Sequence, residues 1–212
     1  MNKTYILILS LAIMACNQKQ SDTNTEKNKA DSTKIASPND EKWIIDSQSS
    51  SITWKGTKPN GEHIGTIKLA KGNLFIKNKA ITSGNFIIDM TSIKETSNTN
   101  DPKAQNKLVK HLKSDDFFNV GIYPTSKFEI SKVLNDSIYG NLTIKNITRS
   151  IQFLYKMTMV EDTFEAIAAF EIDRTEWGIN YKSGKILKDK ILDNVIGDKI
   201  PFKIVIKANK SE

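Results

Sequence analysis

Thr148–Asp173 reads TRSIQFLYKMTMVEDTFEAIAAFEID, and its alternation decides the fold class. Ile151, Phe153, Tyr155, Met157 and Met159 recur at every second position, which is strand spacing with one apolar face. Glu161-Asp162 is a two-residue hairpin linker, and Phe164, Ala166, Ala168, Phe170 and Ile172 take up the same alternation on the return. Working outward, the pattern recurs. Upstream lie Trp43–Gly56, interrupted at Ser49-Ser50-Ser51; Glu62–Lys77, with Gly72 expected at a bulge or bend; and Ala80–Glu95, where Phe86, Ile88 and Met90 alternate. Thr125–Leu134 carries Phe128 and Ile130, and Ser137–Lys145 carries Ile138, Leu142 and Ile144. Downstream, Lys199–Asn209 carries Ile200, Phe202, Ile204 and Ile206 opposite Lys203 and Lys207. Lys58-Pro59-Asn60-Gly61, Asn78-Lys79 and Asn135-Asp136 supply turns, and Asn146 suits a left-handed position.

These eight strands predict an all-β domain over 41–212. A closed eight-stranded antiparallel barrel and a two-sheet sandwich both fit the pattern. Several strands exceed ten residues against a usual five or six, and long neighbouring antiparallel strands favour the elongated barrel. Its interior is either a filled core or a ligand cavity; the small residues Gly84, Ala166 and Ala168 on apolar faces leave space. One passage breaks the alternation. In Asp101–Phe118, Asp101 caps a helix, Pro102 suits its first position, and Ala104, Leu108, Val109 and Leu112 form an apolar stripe. This amphipathic helix near 101–113, inserted between the third and fourth strands, is expected across or beside the barrel mouth. Between the last two strands, Leu187, Ile191, Leu192, Val195 and Ile196 have helical spacing ending at Gly197.

The ends of the chain follow different rules. Lys3 and the apolar run Tyr5–Met14 form an export signal too short to remain as a membrane span. The run ends Ile13-Met14-Ala15-Cys16, which resembles a bacterial lipoprotein signal, with residues 1–15 removed and Cys16 lipidated. Asn17–Asp40 is polar and neutral, a linker with a reach of about 25–30 Å as a flexible coil. Asn17 stands where many lipoproteins kept at the inner membrane have Asp, so that resemblance implies the outer membrane, periplasmic side.

Composition narrows the function. The net charge is +7, yet of 31 basic residues only Arg149 and Arg174 are arginines. Phosphate and base readers lean on arginine forks, so the excess of lysine does not indicate a nucleic-acid partner. With Cys16 the sole cysteine and His63 and His111 the sole histidines, there is no internal disulfide and no metal centre to build. His111 with Asp115 or Asp116 is the one acid–base arrangement available, and no nucleophile signature accompanies it.

At the level of ordered motifs, the chain resembles the YceI-like family of exported polyisoprenoid-binding proteins. The carriers are Trp43-Ile44-Ile45-Asp46 with Ser51-Ile52; His111-Leu112-Lys113-Ser114-Asp115-Asp116-Phe117-Phe118 with Tyr123-Pro124; Gly140-Asn141-Leu142-Thr143-Ile144 with Ile147-Thr148; and Arg174-Thr175-Glu176-Trp177-Gly178. Together they span about residues 42–208. Leu108-Val109 replaces an Arg-Asp pair common in the family, Asn146 replaces a usual Gly, and the segment 183–198 is longer than typical. The resemblance implies a lipocalin-like barrel enclosing a long isoprenoid chain of quinone or polyprenyl type, with no catalytic cofactor and no enzymatic activity. It implies a tunnel lined by Phe86, Ile88, Phe128, Ile130, Leu142, Phe153, Tyr155, Ala168, Phe170, Phe202 and Ile204. The mouth or head-group end falls to His111, Phe117, Phe118, Arg174 and Trp177. Arg174 has two readings: a head-group fork, or a pin for its loop through Asp173 or Glu176 under Trp177. A lipid-modifying enzyme and a packed surface interaction module stand as the other functions, and a homodimer stays open.

Anchoring rests on Cys16 alone. Cys16→Ser is expected to abolish labelling by radioactive palmitate and to release the protein from the membrane fraction; label that persists in the variant refutes the assignment.

Overall fold

The computed structural model describes residues 37, 39–98, 100–185 and 195–211. The expected signal, Cys16 and most of the linker lie outside the described residues, as does most of the helical spacing placed before Gly197. Nine strands occur in order: β1 (Glu41–Ile45), β2 (Ser51–Lys58), β3 (Gly61–Lys77), β4 (Ala80–Glu95), β5 (Thr125–Leu134), β6 (Ser137–Ile144), β7 (Ile147–Val160), β8 (Thr163–Asp173) and β9 (Lys199–Lys210). The helix α1 (Pro102–Lys113) follows β4. A 3-10 turn, Arg174–Trp177, follows β8.

The sheet is antiparallel throughout and closes on itself: β2 pairs with β3 on one side and β9 on the other, and every strand from β3 to β9 pairs with the next. Eight staves therefore surround the interior, as expected, but nine strands build them. The first stave is two strands in line. β2 pairs with Gly61–Ile67 of β3, while β1 pairs further along it, with Asn73–Ile76. β9 treats them alike, meeting β2 at Phe202–Val205 and β1 at Ala208–Lys210. The break is local chemistry. The Asp46 carboxylate accepts hydrogen bonds from the backbone N–H groups of Gln48 and Ser49, at 2.9 and 3.1 Å, and Ser50 N donates to Asp46 O. Such a side-chain-closed turn diverts the chain out of the ladder.

Two further expectations are adjusted. Gly72 is not itself a bulge: it pairs in register with Phe86, and the irregularities of β3 fall between Thr66 and Lys68, Leu69 and Lys71, and Phe75 and Ile76. The left-handed turn at Asn146 (φ 60°) is shared with Lys145 (φ 50°), so both central residues of the β6–β7 hairpin have positive φ. The other tight turns do the same at Asn78-Lys79, with Asn135 and Glu161 the first residues of theirs.

The topology gives the barrel two unlike ends. The hairpins β3–β4, β5–β6 and β7–β8, the start of β1 and the end of β9 lie at one. The other end carries α1, the long β8–β9 connection and the hairpins β2–β3 and β6–β7. Only this second end has extra structure, and it forms the mouth. Asp101 Oδ1 caps α1 by accepting from Ala104 N at 2.9 Å, and the buried Leu112 fixes the apolar side of the helix to the barrel. Lys113 Nζ donates to Thr91 O of β4 at 2.6 Å, tying the last turn down.

The core is the inward face itself. Trp43, Leu74, Ile76, Ile130 and Trp177 are almost fully buried. At roughly 1.5–3 kcal/mol for each large side chain withdrawn from water, this face is the main source of stability. The connection at the mouth is held by charge instead. Arg174 is 3% exposed. Its Nε donates to Gly197 O at 3.0 Å, Nη1 to Ile179 O at 2.7 Å and Nη2 to Ile196 O at 3.1 Å, with Asp198 Oδ1 3.1 Å from Nη2. Burial draws its pKa down, and the charges of Asp198 and Asp173 oppose that. Both strands of the connection thus hang on one guanidinium. The partner carboxylate is Asp198, not the expected Glu176 or Asp173; Asp173 instead caps the 3-10 turn through Thr175 and pairs with Lys185.

Lysine cannot reproduce three directed N–H bonds. Arg174→Lys is therefore expected to lower the stability of lipid-free protein by about 2–4 kcal/mol, read by denaturant unfolding. An unchanged midpoint would show that the connection does not depend on this residue.

Candidate functional site

The alternation of the strands places one apolar side chain in two on the inside, and the result is a continuous cavity of about 150 Å³ running along the barrel. Its wall includes Ile52 of β2, Leu74 of β3, Phe86 and Ile88 of β4, and Phe128 and Ile130 of β5. Leu142 of β6, Phe153 and Tyr155 of β7, Ala168 and Phe170 of β8, and Phe202 and Ile204 of β9 complete the circuit. All eleven positions assigned to the wall from the sequence thus face this space. Sequence reading missed Ile67, Leu69, Leu74 and Ile81, although their alternation in β3 and β4 carries the same signal, and Ile179, which lies in an irregular segment with no such signal.

Ser126, Tyr155 and Arg174 are the polar side chains on this wall. Tyr155 has its phenol pushed up by burial and by Asp136. The Ser126 hydroxyl is buried without a hydrogen-bond partner among the described residues.

At the mouth a second cavity of about 440 Å³ opens between α1, the β8–β9 connection and the rims of β2 and β3. Phe118, Arg174, Ile179 and Phe202 border both spaces, so the vestibule leads into the barrel. His111, Phe117, Phe118 and Arg174 line it, as the mouth assignment has them. Trp177 sits deeper: it is 1% exposed, borders the inner cavity, and its Nε1 donates to Leu142 O at 3.1 Å, fastening the turn to β6. Trp54, His63, Tyr181 and Lys182 also line the vestibule and were not singled out from sequence. The chain brings both of its histidines to this one space.

Each histidine has a carboxylate neighbour. His111 Nε2 lies 3.0 Å from Asp116 Oδ2, and its ring is held edge-on between Phe117 and Tyr181, with centroids 5.0 and 4.6 Å away. His111 is half-buried and Asp116 exposed, and the pair is placed to orient a polar group in the vestibule. His63 Nδ1 lies 3.7 Å from Glu95 Oε1. The Glu95 side chain is wholly buried. Burial pushes its carboxyl up, but hydrogen bonds from the Ser97 hydroxyl and from the backbone N–H groups of Asn98 and Ser97 more than offset it, leaving the pKa below the ordinary value. Among the described residues no cluster of His, Cys, Asp and Glu could hold a metal ion.

A carboxyl whose folded pKa is depressed contributes stability above its unfolded pKa, and that contribution is lost as pH falls through the folded value. Glu95→Gln is expected to lower Tm at neutral pH. The gap to wild type should close as pH falls below the ordinary glutamate value of 4.5. A gap independent of pH would place the effect of the variant elsewhere.

Comparison with known proteins agrees with this geometry. The fold is similar to that of BcnA from Burkholderia cenocepacia (TM-score 0.62, 17% identity, covering 78% of this chain and 99% of that one). It is similar also to a polyisoprenoid binding domain from Saccharophagus degradans (TM-score 0.56, 12% identity, 80% and 98%). A YCEI protein from Campylobacter jejuni matches at a TM-score of 0.50 and 17% identity over 100% of both chains. In sequence, a UPF0312 protein of Pseudomonas paraeruginosa is 40% identical over 70 residues, 31% of this chain and 37% of the relative. The match thus spans little more than a third of that relative's length. The profile of the YceI-like domain covers residues 43–208, the whole barrel from β1 to β9, and the chain belongs to the YceI-like domain family.

Proposed function

We propose that this protein is a non-catalytic carrier that holds the apolar chain of a long isoprenoid lipid, of quinone or polyprenyl type, inside the barrel at the bacterial cell envelope. The observation that carries this reading is the apolar cavity inside the barrel, which shares wall residues with a vestibule at one end where a few polar side chains, His63, His111, Tyr181 and Lys182 among them, join the apolar lining. Pockets of this kind take a tail in the apolar part and orient a head at a few placed polar groups. The polyisoprenoid binding domain of Saccharophagus degradans shares the fold, which supports the same ligand class here.

The energetics indicate exchange with a membrane. Withdrawing forty carbons from water is worth roughly 0.8 kcal/mol per methylene, a total far beyond any measured affinity. A lipid tail in a bilayer is already out of water, so transfer into the barrel is near neutral. Fit along the tunnel and at the vestibule then decides what is carried.

Lipidation at Cys16 would attach the anchor through the linker to the start of β1, which is the end opposite the mouth. The 17 residues of β3 cover about 55 Å of strand, or about 40 Å along the barrel axis at the usual tilt. At the average reach of about 25–30 Å expected for such a linker, the start of β1 rather than the mouth is held nearest the anchor. In an upright domain the mouth would then lie on the side away from the anchoring leaflet.

Organic extraction of protein purified from cells that make isoprenoids, followed by mass spectrometry, is expected to recover such a lipid unchanged, in wild type and in His111→Ala alike. Preparations that yield only empty protein overturn the carrier reading. Conversion of the lipid that is lost in His111→Ala would turn it into an enzyme.

A further inference from the structure

We propose that Gly140 sets the length of chain the tunnel accepts, by giving the Phe128 ring a berth on the wall. The inference rests on the lipid-binding reading above and concerns one level of the barrel. There five inward phenylalanines touch in succession around the wall: Phe86 of β4, Phe128 of β5, Phe153 of β7, Phe170 of β8 and Phe202 of β9. Their neighbouring centroids are 6.1, 5.6, 4.4 and 5.9 Å apart.

Five large rings at one level would be expected to fill an eight-stranded barrel, whose interior is only just wide enough for its side chains. Instead the cavity continues past them. Its wall includes Ile88, Leu142 and Trp177 on the mouth side and Leu74, Ile81 and Ile138 on the other. The reason is at Gly140, opposite Ile130 in the β5–β6 ladder. A Cβ on Gly140 would stand closer than 3.0 Å to two atoms of the Phe128 ring and to the carbonyl oxygen of Glu129. The ring therefore occupies the space that a side chain at Gly140 would take. Strands ordinarily disfavour an interior glycine, and close approach of a neighbouring group is what retains one. The same device recurs at the rim, where the indole of Trp54 lies over Gly65.

A ring displaced from that berth cannot move outward through the strand backbone. It turns into the lumen, where Phe86 and Phe153 already flank it, and closes the passage at mid-depth. The half of the cavity on the mouth side keeps its shape. Gly140 and Phe128 thus act as a pair: the open passage needs both the ring on the wall and the bare Cα beneath it.

The test uses purified protein incubated with phosphatidylcholine vesicles carrying farnesol, of three isoprene units, or octaprenol, of eight, and mass spectrometry of the lipid retained. Wild type is expected to retain both. Gly140→Ala is expected to lose octaprenol by at least about tenfold, while farnesol stays within about twofold. Adding Phe128→Leu to Gly140→Ala is expected to restore octaprenol. The new Cβ also crowds the Glu129 carbonyl, so Phe128→Trp, which leaves Gly140 intact and overfills the berth, is read in parallel and should show the same selective loss. Octaprenol retained at the wild-type level by a folded Gly140→Ala or by Phe128→Trp overturns the inference and leaves the carrier reading standing. Equal loss of both lipids, or failure of the double variant to restore octaprenol, also overturns it. Wild type that takes neither lipid removes the carrier reading and this inference with it.

Discussion

Closure of the hydrogen-bonded ring is the constraint on which the rest of the molecule depends. Every strand from β2 to β9 has a partner on both edges, so no strand presents a wholly free edge to another chain. Closure also turns the alternation of each strand into a division between inside and outside. Most apolar positions face the lumen, and most lysines and glutamates of the strands are left in water, with Glu95 a buried exception. The composite first stave serves the same end. β3 is too long for β2 to cover, and the Asp46-closed turn lets β1 resume the pairing where β2 begins. Without that splice, half of β3 and the end of β9 would face each other unpaired.

Because the ring is closed, the ends are the only routes to the interior, and the chain treats them differently. Tight hairpins with left-handed residues close one end at little cost in chain length. The other end receives a helix and a long connection, elements that cannot satisfy their backbone groups by joining the sheet. The helix bonds its own backbone, backbone bonds such as Gly197 N to Thr57 O and Ile196 N to Lys182 O hold part of the connection, and side chains fix the rest. Arg174 bonds three carbonyls of the connection, Asp173 caps the turn beside it, and Trp177 hooks to β6. An arginine that spends its donors on the backbone holds the mouth in shape. The other polar side chains of the vestibule, His63, His111 and Tyr181 among them, are less committed to the backbone.

The interior is maintained by large side chains laid flat rather than by small ones alone. Glycines placed inside strands weaken the ladder locally, yet here Gly65 and Gly140 accept Trp54 and Phe128 against the wall. The aromatic area still leaves water, so stability is retained while the lumen stays open. Ser126, Tyr155 and Arg174 put few polar atoms into that lumen, consistent with an occupant that is apolar over most of its length.

Alternation, turn residues and the Asp101-Pro102 cap were enough, in the sequence by itself, to determine the staves, the hairpins and α1, because each depends on neighbours two to four positions apart. The same alternation marked the inward residues from Phe86 to Ile204, since a strand in a closed sheet has one inner face. Only the tertiary structure decided what depends on contacts across the chain. The interruption of the first stave is local, but that β1 and β2 on either side of it pair with the same two strands, β3 and β9, is set by the lengths of those strands. The choice of Asp198 over Asp173 and Glu176 as the partner of Arg174 follows from the return of the chain at the end of the long connection between β8 and β9. The placing of His63 and His111 on one vestibule follows from the docking of α1 at the mouth, and the resting of Phe128 on Gly140 from register between strands. Local pattern specifies which face a side chain takes; which side chain it then meets is set by closure of the ring.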